Sequence, residues 1–250
     1  PMADESVKIF SARACAAPLE EAAALFTEAT GIEVEISVCA RHCATQNAEE
    51  ADAEAGTHDF LVEIDEYGIH DLAIGGAEYL LDDGEVRQII KKGVRRLIAY
   101  RESAIVVPKG NPAGITSLAD LAGDGVRVGI SVIDCLKGLW EDVSGQVGLT
   151  GEIRENISFY ASGCIAIVEA IAEGIVDAAF GWTTFGRLDE RLEVIQLPRE
   201  QRIYRGTGVG MLKFCTETER PEQFMNFLVT PPARACYEKF GWVLPETLRG

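Results

Sequence analysis

The 250-residue sequence predicts an α/β protein of two lobes, each a parallel-rich sheet flanked by helices. Strand-like and helix-like segments alternate along almost the whole chain. The length is enough for two moderate cores. The alternation also breaks once, at Pro108-Lys109-Gly110-Asn111-Pro112, a turn after which it restarts.

Val7–Phe10 is a short apolar strand, and the Ala/Leu/Glu-rich stretch from Ala17 to Thr30 is a helix that Gly31 stops. Ile32–Val38 places Ile32, Val34, Ile36 and Val38 on one side, the period of a half-buried strand. A helix over Ala44–Ala55 and a strand over Phe60–Ile64 follow. Arg96–Tyr100 and Ala104–Val107 are extended runs leading into the turn. Beyond it, Arg127–Ile130, Ile157–Tyr160 and Ala178–Gly181 read as strands, with helices from near Cys135 and from Cys164 to Glu173. Thr207–Phe214 is a late strand, and Pro221–Val229 and Pro231–Lys239 are closing helices with proline in the first turn. Pro1-Met2-Ala3 reads as a cloning remnant.

A formal charge of −17 argues against nucleic acid, whose phosphates need clustered Lys and Arg. The dense basic run, Lys91 to Arg96, reads as a solvated helix end. No apolar run suggests a membrane span, and the N-terminus has neither the basic region nor the apolar core of a signal peptide. With a cloning remnant at the start, that last point decides little.

The chemistry is concentrated in cysteine. Five of the seven, Cys15, Cys39, Cys43, Cys135 and Cys164, fall at or just after a strand end where a helix begins. That is the end of an open α/β sheet where ligands bind. The odd number and the spacings do not suggest a disulfide framework, and a chain this long needs no staples. Reduced or metal-bound thiolates point to a cytoplasmic or anoxic setting. Cys15 and Cys164 sit at helix starts, where orphan N–H groups and the helix dipole favour a thiolate. Cys39 and Cys43 are four residues apart, which on a helix shares one face. Cys215 and Cys236 read as core residues.

Other patterns carry less. Gly206-x-Gly208-x-Gly210 leads into a strand rather than opening a helix, so it is no dinucleotide loop. The carboxylates of Glu49–Glu54 lack histidines at metal spacing. His58 reads as a strand-end cap and His70 as a helix-surface residue. Three scattered histidines build no catalytic triad, and no enzyme is expected.

Ordered segments nevertheless resemble a known family. Lys8–Phe26 followed by Thr30–Val34, His58–Val62, Ala104–Pro112 with Ser117–Ala122, Val168–Asp177, and Pro221–Trp242 resemble the periplasmic molybdate/tungstate-binding proteins of ABC importers. The resemblance implies a two-lobed type II periplasmic-binding-protein fold, with 7–98 and 206–250 as the first lobe, 103–198 as the second and the ligand cleft between them. It implies an oxyanion held by serine hydroxyls and backbone amides. It also implies a periplasmic or extracytoplasmic location, with an ABC importer permease as partner. Where the family carries its first ligand serine this chain has Cys15, and its second serine loop corresponds to Val38–Cys43. Ser131–Gly138, with Cys135, and Ser162-Gly163-Cys164 align with its second-lobe loops, and its tyrosine maps to Trp182.

The departures all fall in the binding site, which suggests conversion to thiolate ligation. Four thiolates satisfy a [4Fe-4S] cluster or a tetrahedral metal. Ligands drawn from four loops suit a cluster better than a single thiophilic ion. The sequence therefore predicts capture, storage or delivery of an iron–sulfur cluster. The alternatives are a mononuclear thiophilic metal, a molybdate-like oxyanion, or a redox protein with a fixed cluster. Arg41, His42, Gly163 and Trp182 are expected around the ligand, a cluster-accepting protein is a further candidate partner, and a cluster shared across a homodimer is compatible with the pattern.

Overall fold

In the computed structural model the described residues are 6–39 and 60–249. They form two compact units, one of 6–39, 60–100 and 205–249 and another of 101–204. In chain order the first elements are β1 (Val7–Ser11), α1 (Ala16–Thr30), β2 (Val34–Val38), α2 (Phe60–Tyr67), β3 (Leu72–Gly75) and α3 (Glu78–Val86). Next come β4 (Ile90–Pro108), α4 (Leu118–Leu121), β5 (Val128–Ser131), α5 (Leu139–Gly145), α6 (Thr150–Glu155) and β6 (Ile157–Ala161). The chain continues through α7 (Cys164–Ala172), β7 (Ala178–Trp182), β8 (Leu192–Gln196) and β9 (Tyr204–Leu212). It closes with α8 (Glu219–Phe227), α9 (Pro231–Lys239) and α10 (Pro245–Arg249).

In the first unit the strand order is β2-β1-β3-β9-β4. β1 runs parallel to β2 and β3, with Ile9 opposite Ile36 on one side and Leu72 on the other, and β9 is antiparallel to β3. The apolar face of α1 explains its docking: Leu19, Ala22, Ala23 and Phe26 are buried. Phe26 meets Phe224 at 4.9 Å and Phe227 at 5.4 Å between ring centres. Burying such a ring is worth about 1.5–3 kcal/mol. Gly31 ends α1 at φ 76, its N–H bonded to Thr27 O, as its position in the sequence predicts.

The glycine run lies within β9 and has a packing reason. A Cβ on Gly208 would sit 2.4 Å from Glu78 Oε1 and 2.8 Å from Leu81 Cδ1, so the strand is bare where α3 lies against it. Glu78 is in turn held by Arg95, which also pairs with Asp82 and Glu85.

In the second unit β7 and β8 both pair antiparallel with the 101–108 part of β4. β5 is parallel to β6 and β7. Every residue of β5 and β7 is buried, the signature of strands covered on both faces. α7 supplies part of that cover through Ala166, Ile167, Ala170 and Ile171.

Several expectations are corrected. Phe60–Ile64 is not a strand but the start of α2, where Phe60, Leu61 and Ile64 share the buried face. A five-residue apolar run does not separate the two periods. The runs at 96–100 and 104–107 are one continuous strand, β4, and the basic stretch Lys91–Arg96 lies on that strand rather than at a helix end. Lys91 Nζ donates to Cys215 O at 2.7 Å. His70 is not on a helix surface: it is 2% exposed and packs edge-on to Phe10 and Tyr67. The expected helix over Ala44–Ala55, the Glu49–Glu54 carboxylates and His58 lie outside the described residues.

Candidate functional site

The carboxyl end of the second unit's parallel strands brings two of the predicted thiols together. β5 ends at Ser131, and the chain turns through a 3-10 segment, Asp134–Leu136, that carries Cys135. No regular helix starts there, because Gly138 takes a left-handed conformation at φ 70 and only then does α5 begin. β6 ends at Ala161, and α7 starts directly on Cys164. Gly163 is the hinge of that turn: at φ 130, ψ −179 it occupies a region essentially closed to side-chain-bearing residues. This backbone sets Cys164 Sγ 3.2 Å from Cys135 Sγ. The two residues are 4% and 7% exposed, Cys135 and Cys164 respectively.

A buried cation accompanies the pair. Arg101, on β4, is fully buried, with its guanidinium carbon 4.7 Å from the centre of the Trp182 ring at the end of β7. The Cys135 thiol is held below its ordinary range chiefly by the hydrogen bond from Cys164 and also by the charge and hydrogen bond of Arg101, against the opposing effect of burial. Next along the strand, Glu102 accepts from Arg202 Nη1 at 3.3 Å and from Tyr204 Oη at 3.0 Å. Sequence reasoning missed Arg101. Its signal was a charged dipeptide, Arg101-Glu102, interrupting an extended apolar stretch, the pattern of a buried polar group with a task.

The other predicted thiols are placed differently. Cys39 follows β2, fully buried, and its Sγ accepts the Arg13 backbone N–H at 3.2 Å while its own N–H donates to Ser11 O at 3.0 Å. It is not on a helix. Cys15 caps the N-terminus of α1 but belongs to the apolar core with Leu19, Ile74 and Tyr237. Burial pushes the neighbouring Tyr237 hydroxyl well up, with the Cys15 and Cys236 thiols adding to it. Cys215 and Cys236 lie in that same core, and burial raises the Cys215 thiol to about 11. Cys43, Arg41 and His42 lie outside the described residues. Among the described residues no three His, Cys, Asp or Glu side chains are grouped closely enough to hold a metal ion. Among them, too, no helix is long and apolar enough to cross a membrane.

Residues 7–243 match the model of the bacterial extracellular solute-binding protein family. No curated protein matches the chain. Solved structures match over nearly its whole length. The periplasmic molybdate-binding protein of Azotobacter vinelandii is 20% identical, with a TM-score of 0.71 over 96% of this chain and 100% of that one. The substrate-binding domain of a putative molybdenum ABC transporter from Clostridium difficile is 11% identical, at 0.69 over 96% and 98%. The sulfate-binding protein SubI of Mycobacterium tuberculosis is 14% identical, at 0.73 over 98% and 89%. At these identities the likeness establishes the fold, that of the type II periplasmic binding proteins. The protein is thus a binder of solutes rather than an enzyme, and the chain belongs to the bacterial extracellular solute-binding protein family.

Proposed function

We propose that this solute-binding protein captures a thiophilic inorganic solute, an iron–sulfur cluster, through cysteine thiolates, for storage or delivery outside the cytoplasm with an ABC permease as partner. The observation that carries this reading is the Cys135–Cys164 pair, 3.2 Å apart at the carboxyl ends of β5 and β6, beside the buried Arg101. Two thiols and a cation at the ligand end of a parallel sheet favour a soft, anionic guest. Thiolate-ligated clusters carry net negative charge, which Arg101 offsets. Cys39 and Cys43 are the further thiols that the sequence offers as ligands. Cys15 is left out because its side chain is part of the apolar core. The cluster is the cargo here, and [4Fe-4S] is the type proposed, one of those that four thiolates hold.

A second reading is an oxyanion receptor. It is favoured by Arg101 and by the N-terminus of α7 at Gly163, and by the molybdate and sulfate named for the similar structures. Anaerobic reconstitution with ferrous iron and sulfide separates the two. The cluster reading expects a brown protein whose visible absorbance dithionite bleaches. A colourless product that instead binds molybdate or sulfate in calorimetry selects the oxyanion.

A further inference from the structure

We infer that Cys135 and Cys164 form a reversible intramolecular disulfide whenever the site is without its solute, so that the second unit carries a redox-controlled binding element. The inference takes its site from the proposed function but rests on geometry of its own. At 3.2 Å the sulfur atoms are closer than two thiolates on one tetrahedral metal, which sit about 3.8 Å apart at bond lengths of about 2.3 Å. They are about 1 Å short of a bond of about 2.05 Å. The segment that must give is irregular. Cys135 lies in a three-residue 3-10 turn, preceded by Asp134 at φ 51 and followed by Gly138 at φ 70, outside any α-helix. The partner sulfur is fixed at the first residue of α7.

With both residues less than a tenth exposed, the fitting reagent is a small oxidant, hydrogen peroxide. One thiolate attacks a peroxide oxygen; the O–O bond breaks, and a sulfenic acid and hydroxide result. The second thiol gives its proton to that hydroxide, and its sulfur attacks the sulfenic sulfur. The S–S bond forms as the S–O bond breaks and the second hydroxide leaves as water on protonation. Two thiols lose two electrons and peroxide becomes two waters. The buried Arg101 beside Cys135 stabilises the anionic sulfur through the first step. A dithiol reductant reverses the product by exchange. While the bond stands, neither sulfur is a thiolate ligand.

The test uses the full chain, reduced and metal-free, treated with equimolar hydrogen peroxide, then denatured in N-ethylmaleimide and mapped by mass spectrometry. The expected result is a Cys135–Cys164 linked peptide that dithiothreitol removes, present also in the Cys39→Ser/Cys43→Ser variant. Maleimide on both residues, sulfinic acid at either, or linkage of either to another cysteine overturns the inference. The map decides this on the unmutated protein, so a variant that fails to fold does not affect it. A reduced protein that takes up no iron and sulfide refutes the cluster reading alone. Oxidised protein that takes up as much as the reduced protein overturns the control of binding by the disulfide.

Discussion

The guanidinium carbon of Arg101 lies 4.7 Å from the centre of the Trp182 ring, and both side chains are fully buried. A desolvated cation on an indole face is stabilised by about 2 kcal/mol. The indole explains how a residue without a hydroxyl belongs at this position: it supplies a π face to the charge rather than a hydrogen bond to an anion. Trp182→Leu is expected to lower unfolding stability by about 3 kcal/mol, from the lost stacking and the partly filled cavity, as measured by urea denaturation.

Removing the charge instead isolates its effect on sulfur. Arg101→Met keeps the volume and deletes the cation, so the Cys135 thiol moves back up toward its ordinary value. At a fixed neutral pH the rate of Cys135 carbamidomethylation, followed by mass spectrometry, is expected to fall with the thiolate fraction, steepening toward about tenfold per unit once the thiol titrates above that pH. An unchanged rate would show that Cys164 alone accounts for the lowering.

The bare strand β9 gives a packing prediction. Gly208→Ala drives a methyl group against Glu78 Oε1, Leu81 Cδ1 and the Arg96 carbonyl, the last at 3.2 Å and part of the backbone. Overpacking of this kind costs about 1–3 kcal/mol. The melting temperature is expected to fall, and Glu78→Ala in the same chain to restore part of the loss.

The sequence made some of this architecture legible and hid the rest for physical reasons. Gly31 and the prolines at 221 and 231 announced helix ends because their backbone limits are local. The α1 apolar face and the β2 alternation were long enough to show a period. Phe60–Ile64 was too short, and its helical identity depends on the residues through Tyr67. The positions of Cys135 and Cys164 at strand ends were readable, but their separation of 3.2 Å depends on the turns at Gly138 and Gly163. Cys15 looked equivalent to them along the chain, and only tertiary packing places it in the core. Arg101 went unread because the Arg101-Glu102 dipeptide marks charge within an extended stretch without showing how deeply the fold buries either side chain.

His70 supplies a pH dependence with a definite sign. Burial, reinforced by the positive charge of Lys8, holds the imidazole below its ordinary 6.5. The folded chain therefore binds a proton less readily than the unfolded chain. Above 6.5 both forms are neutral and the contribution is fully present; as pH falls below 6.5 the unfolded state gains protons first and stability is lost until the folded pKa is passed. His70→Phe, which keeps the ring packing against Phe10 and Tyr67, is expected to lose less stability than the parent between neutral and mildly acid pH in parallel urea titrations.

The most direct measurement is the iron and acid-labile sulfide content of protein purified anaerobically, compared between the parent, Cys135→Ser, Cys164→Ser and Cys236→Ser. The account predicts stoichiometric iron and sulfide in the parent and in Cys236→Ser, with a loss of most of both in either of the other two. Equal content in all four, or none in the parent after reconstitution, would contradict thiolate capture at Cys135 and Cys164.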